Sequence, residues 1–145
     1  MNADVVARNQ ESVRHLKELV AHLTDGDLAR SVGDGWTVST ALAHLAYWDR
    51  RAAILLTRWQ KQGITPDDSD SSVINEASAA LWSAVPPRAA AQIAIDSADA
   101  ANKAVAALSD DMAQQIMTGN AGVALKRFEH REEHIEQIQK ALGTH

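Results

Sequence analysis

Three histidines offer the sharpest chemistry in this sequence: His44, His130 and His134. His130 and His134 are four residues apart. On a helix that spacing stacks two imidazoles on one face, one turn apart. Rings so placed can reach a common ion at about 2.0–2.1 Å per bond. At 100° per residue, His134 lies roughly 90° from the centre of the apolar stripe of its helix, and His130 lies further round. His44, on an earlier helix, also sits roughly 90° from its stripe. Flank positions on two neighbouring helices can converge on a cleft between them. Spacing alone leaves two readings open, a divalent metal site or a partly exposed histidine pair with an unrelated third ring.

The other histidines lack such partners. His15 and His22 are seven residues apart, about 10.5 Å along a helix, too far to share one ion, and both read as surface residues. His145 is terminal and reads as disordered. Two further metal patterns fail. Glu-x-x-His, the di-iron signature, is absent, because Ser12, Leu19, Ala41, Arg127, Arg131 and Leu142 precede the histidines by three. His130-Arg131-Glu132-Glu133-His134 fits the H-x-x-E-H string of some zinc peptidases, but only 11 residues follow it, too few for a downstream acidic ligand. Cysteine is absent. That excludes disulfides, zinc-thiolate sites and a cysteine nucleophile, so any thiol chemistry must bring its sulfur on a cosubstrate.

The elements that must position these residues are helical. The periodicity predicts a first helix over about Asp4–Leu23, stopped by Thr24-Asp25-Gly26-Asp27. A second runs from Thr37 or Ser39, either of which can cap it, to about Gln62. It carries Val38, Leu42, Leu45, Trp48, Ala52, Leu56 and Trp59 as a stripe. A short helix over Ser72–Ala84 ends at Pro86-Pro87. A third long helix covers Arg88–Leu108, a short piece Met112–Met117, and a fourth long helix Val123–Leu142. No segment alternates with period two, so no sheet is expected. Neither an internal repeat nor a domain linker is evident, and residues 1–145 read as one all-α domain, a four-helix bundle.

Composition narrows the partners. With 46% hydrophobic and 23% charged residues, this is an ordinary globular balance. A net charge of −5 with scattered Lys and Arg argues against nucleic acid. No run of 18 apolar residues exists to cross a membrane, and the first ten residues lack the apolar region of a signal peptide. A cytoplasmic protein is expected. Asp49 falls about 40° from the stripe of the second long helix, where a carboxylate needs a partner. A salt bridge and a role orienting a ligand histidine both suit it. Glu129 and Glu133 are expected to face solvent. Trp36, Trp48, Trp59 and Trp82 read as core or dimer anchors, with Trp48, one turn beyond His44, able to line a cleft. Asn75 suits a helix cap.

The stretch Gly35-Trp36-Thr37-Val38-Ser39-Thr40-Ala41-Leu42-Ala43-His44-Leu45-Ala46-Tyr47-Trp48-Asp49-Arg50-Arg51 resembles the start of the second helix in the DinB-like superfamily. That superfamily includes the N-terminal domain of mycothiol-dependent maleylpyruvate isomerase and bacillithiol transferases. Ser72-Val73-Ile74-Asn75-Glu76-Ala77 resembles the segment that follows, which implies a pocket-wall position for Asn75 beside the capping role, and His130-Arg131-Glu132-Glu133-His134-Ile135-Glu136-Gln137-Ile138 resembles the closing histidine pair. The resemblance implies an up-down-down-up four-helix bundle, often a homodimer. It also implies a three-histidine site for nickel, zinc or a similar ion, with ligands at His44, His130 and His134. Characterised relatives transfer or isomerise small molecules with a low-molecular-weight thiol. The chain resembles the bundle without the further C-terminal domain of the isomerases. A metal-dependent S-transferase or related hydrolase is the first expectation. A non-catalytic metal-binding or stress-response protein on the same bundle is the second.

Overall fold

A computed structural model describes residues 2–144; His145, and the disorder expected of it, lie outside the described residues. The elements are α1 (Ala3–Ala21), α2 (Asp25–Leu28), β1 (Ser31–Gly33), β2 (Trp36–Thr37), α3 (Val38–Gln62), α4 (Ser71–Ser83), α5 (Pro87–Ala106), α6 (Asp110–Thr118), a 3-10 turn (Gly122–Ala124) and α7 (Arg127–Leu142). The fold is all-α in its mass. The long helices α1, α3, α5 and α7 make a ring of neighbours: α1 touches α5 and α7, and α3 touches the same two.

The helix starts follow from capping. Thr37 accepts the Thr40 N–H at the start of α3, Asp70 that of Val73 in α4, and Ser109 that of Met112 in α6. Each satisfies a donor that the first turn would leave bare. Pro87 occupies the first position of α5, where its missing N–H costs nothing. α7 has no cap of its own. Instead Asn9, buried on α1, accepts the Phe128 N–H at 2.9 Å through Oδ1 and donates Nδ2 to the Leu125 carbonyl at 2.8 Å. A side chain from the first helix thus fixes where the last begins.

One core cluster joins the first half of α3 (Val38, Ala41, Leu42, Leu45) to Ala91, Ala94 and Ala98 of α5, Leu16 of α1 and Ile135 and Ile138 of α7. A second joins the end of α3 (Leu56, Trp59) to Val105 near the end of α5, Leu108 just beyond it, Val5 of α1 and Leu125. First half therefore packs with first half along α3 and α5, and with the far ends of α1 and α7. The small alanines of α5 let it lie close against α3.

Three expectations are corrected. The absence of any sheet fails locally: β1 and β2 form a two-stranded antiparallel hairpin. Its turn uses positive φ at Gly33, Asp34 and Gly35, a conformation open to Gly and tolerated by Asp, and strands this short give no periodic signal. The stop at Thr24–Asp27 is itself the start of α2. Thr24 and Asp27 satisfy each other's backbone N–H groups in a capping box. The last helix starts at Arg127 rather than near Val123; Val123 is exposed, and Leu125 is buried from outside the helix.

Candidate metal centre

The hairpin, α3 and α7 bring the three histidines together. Nε2 of His130 lies 3.0 Å from Nε2 of His44 and 3.1 Å from Nε2 of His134. One ligand atom from each ring falls within 4.8 Å of the others, and among the described residues no other such group of three occurs. Two nitrogens about 2.1 Å from a common ion and separated by 3.0–3.1 Å subtend roughly 90–95° there. That suits His130 as the neighbour of both other donors in a coordination sphere.

His44 is buried in an aromatic corner. Trp36 of the hairpin stands 4.9 Å from it, ring centre to ring centre, and Trp82 of α4 stands 5.1 Å away. The two indoles meet edge to face at 5.8 Å. The hairpin has a purpose here, since its second strand puts Trp36 on the His44 ring. His130 and His134 are half-buried on α7, at the inner wall of a cleft of about 1060 Å³. Trp48, Trp59, Arg51, Asn75 and the connection between α3 and α4 line the rest.

Burial holds the His44 ring well below its ordinary 6.5, to about 3, aided by His134 and Arg127. Burial likewise pushes His130 down to about 2, with His134, Arg127, His44 and Arg131 contributing. Both rings are neutral at pH 7, the form that offers a lone pair. The donor set therefore fits a borderline divalent ion such as zinc or nickel: three neutral imidazoles, no thiolate, and one face open to a cleft. The Nδ1 of His44 is buried without a hydrogen-bond partner; the Asn75 side chain beside it favours a protonated ring but stops short of bonding geometry.

The backs of the other two rings differ. Nδ1 of His134 meets Gln137 Oε1 at 2.9 Å, and Nδ1 of His130 meets Arg127 Nη2 at 3.0 Å. Asp49 is fully buried and bonds none of the three rings. Its carboxylate accepts from Arg127 Nε at 2.8 Å and from Arg131 Nε and Nη2 at 3.0 and 3.1 Å. Of the two roles open to it, the salt bridge is present, and the tie to a histidine runs only through Arg127. Arg131 also donates to the Asn9 and Ala98 carbonyls, Ser12 Oγ and Asn102 Oδ1. Burial lowers its pKa while Asp49 opposes the shift.

Asn75 lines the cleft and accepts the Trp48 indole N–H at 2.9 Å. Glu129 and Glu133 are exposed, as expected, yet border the cleft. His15 bonds Glu132 at 2.6 Å across α1 and α7, and His22 bonds the Glu18 carbonyl; neither approaches the cluster. Sequence reasoning missed Arg127, Arg131 and Asn9. A signal existed for the arginines: each precedes a ring of the pair by three, and Asp49 lacked a partner.

A helical bundle carrying three clustered histidines at a cleft defines the class, that of DinB-like proteins. Residues 10–130 match the model of the mycothiol maleylpyruvate isomerase N-terminal domain family, and the chain belongs to that family, within the DinB-like superfamily. The match ends at His130, so His134 is placed by the structure and not by the alignment. Neither the curated proteins nor the solved structures give a match.

Proposed function

We propose that His44, His130 and His134 bind one divalent metal ion, nickel or zinc. On this reading the protein is a metal-dependent transferase of the low-molecular-weight thiol type, or a related hydrolase, acting on a small molecule. The observation that supports it most is the convergence of three Nε2 atoms at the wall of a cleft large enough for both a thiol and its electrophile. Drug-sized ligands occupy pockets of roughly 300–1,000 Å³. Membership of a family named for a mycothiol-dependent isomerase points to the same chemistry. A cysteine-free chain must take its sulfur from a cosubstrate.

The ion would supply Lewis acidity that favours the thiolate form of a bound sulfur. The chain does the rest. Trp36 and Trp82 hold His44 and exclude water behind it. Gln137 fixes the His134 ring. Trp48, oriented by Asn75, and Trp59 present flat apolar walls against which a substrate body can rest. The proposal extends to a cytoplasmic homodimer, for which exposed Val73 and Leu81 on α4 offer apolar surface; sedimentation measures it. No helix among the described residues is long and apolar enough to cross a membrane.

Metal analysis of untagged protein tests the site: one equivalent of metal is expected, and none from His44→Ala. Unchanged stoichiometry in that variant refutes the ligand assignment. Conjugation of bacterial thiols to electrophiles, assayed with and without metal, tests the activity. Metal binding with no turnover on any thiol leaves the non-catalytic alternative.

A further inference from the structure

The three rings are not backed alike. Each presents Nε2 to the common point, which leaves Nδ1 at its back; His44 is held by the flanking indoles, with Nδ1 unbonded, and the other two through Nδ1. A metal-bound histidine normally donates its second N–H to an oxygen acceptor, which leaves the other nitrogen's lone pair for the ion. His134 follows that rule, with Gln137 Oε1 at 2.9 Å from its Nδ1. His130 reverses it. Its Nδ1 faces Arg127 Nη2 at 3.0 Å, and a guanidinium has five donors and no acceptor. Nδ1 must accept, so the single hydrogen of the neutral ring sits on Nε2. That atom lies 3.0 and 3.1 Å from the Nε2 atoms of His44 and His134, and its hydrogen points where an ion would go.

Arg127 is not free to turn away. Its Nε is tied to Asp49 at 2.8 Å, its Nη1 reaches the Val123 carbonyl at 3.3 Å, and the side chain is buried. Asp49 is itself clamped from the far side by Arg131. The donor is therefore built in.

We propose that Arg127 is a positioning residue that restrains the third ligand: by holding His130 through Nδ1 it keeps that ring in the hydrogen-bonded form and makes it the weakest, most readily released member of the metal set. This rests on the three-histidine reading. For His130 to ligate, its hydrogen must leave Nε2, and a hydrogen on Nδ1 instead would meet the guanidinium head-on. Either route weakens binding, whereas His44 and His134 meet no such opposition.

The test is zinc affinity, measured by competition with a chromophoric chelator and repeated with nickel. Arg127→Gln, whose amide oxygen can accept from Nδ1, is expected to bind about 10–100-fold tighter than wild type, the range over which groups behind a ligand act. Arg127→Met removes the donor without adding an acceptor. It is expected to gain less, and it serves in place of the glutamine variant should that fail to fold. Arg127→Lys keeps a donor-only head and should stay close to wild type. Gln137→Leu, which strips His134 of its acceptor at a half-exposed position, should weaken binding about 10-fold. Equal or weaker binding by both the glutamine and methionine variants, with Gln137→Leu weakened as expected, overturns the inference and leaves the three-histidine site standing. A wild-type protein that takes up neither metal overturns both.

Discussion

Two polar clusters meet on α7, one fully buried around Asp49 and one partly buried around the histidines, and they are satisfied to different degrees. Around Asp49 nothing is left over. Both carboxylate oxygens are engaged, and every N–H of Arg131 finds an acceptor. Around the histidines three Nε2 atoms crowd together, and His44 Nδ1 has no hydrogen-bond partner. Burial of polar groups is tolerated when they are paired and is costly otherwise. A saturated cluster is explained by folding alone. The histidine cluster, with one buried nitrogen unpartnered and a cleft at its side, is what the proposed metal site rests on.

That contrast breaks most visibly at Asp49. Asp49→Ala leaves two buried guanidinium groups without a counter-charge, and removing one partner of a buried pair costs about 3–5 kcal/mol. Urea unfolding of metal-free protein should show a loss of that size. A loss below about 1 kcal/mol, the value of an exposed ion pair, would mean that the network adds nothing a surface pair would not.

Acid should attack the other cluster. The folded-state pKa values of His44 and His130 are lowered to about 3 and about 2, while the unfolded rings titrate near 6.5. Below that pH the unfolded chain binds protons that the folded chain refuses, so stability falls as pH falls. Between pH 6.5 and 5, in chelator, each ring contributes a slope of up to about 1.4 kcal/mol per pH unit. Glu11, Asp27 and Asp67 have lowered pKa values and titrate below this window. A flat profile here would show that the rings are not held neutral, and the slope should shrink in His130→Gln.

The seam between the two clusters is Asn9. It starts α7 at the turn that carries Arg127, His130 and Arg131. Asn9→Ala removes a cap and leaves the Leu125 carbonyl bare, for about 1–2 kcal/mol. Hydrogen exchange should quicken in the first turn of α7 before the rest of the helix. Uniform quickening would show that Asn9 supports the core generally and has no particular hold on that turn.

The sequence disclosed the helices and the three rings because both are signals of spacing. Leu42, Leu45, Leu56 and Trp59 repeat at the helical period, and His130 and His134 are four apart. It disclosed poorly what depends on contacts between distant residues. Asn9 capping a helix 119 residues later, or Arg131 filling the interior from a position followed by Glu132 and Glu133, leaves no local pattern. The β1–β2 hairpin was hidden by its brevity, and α2 by a capping box read as a stop. Asp49 showed that a partner was needed without showing which.

The smallest expected effect on folding separates the clusters most cleanly. His134 is half-buried, and one of its nitrogens is served by Gln137. His134→Gln keeps an amide of similar reach, removes no counter-charge and opens little volume, so metal-free stability should change by less than about 1 kcal/mol, as half-exposed substitutions usually do. Removing a ligand from a three-nitrogen set should nevertheless abolish one-equivalent metal uptake. An equal chemical change at Asp49 would do the reverse, costing several kcal/mol while reaching the rings only through Arg127. If His134→Gln instead destabilises the metal-free protein by as much as Asp49→Ala does, the histidines belong to the scaffold in the same sense as the arginines. Their convergence would then be a packing solution rather than a binding site.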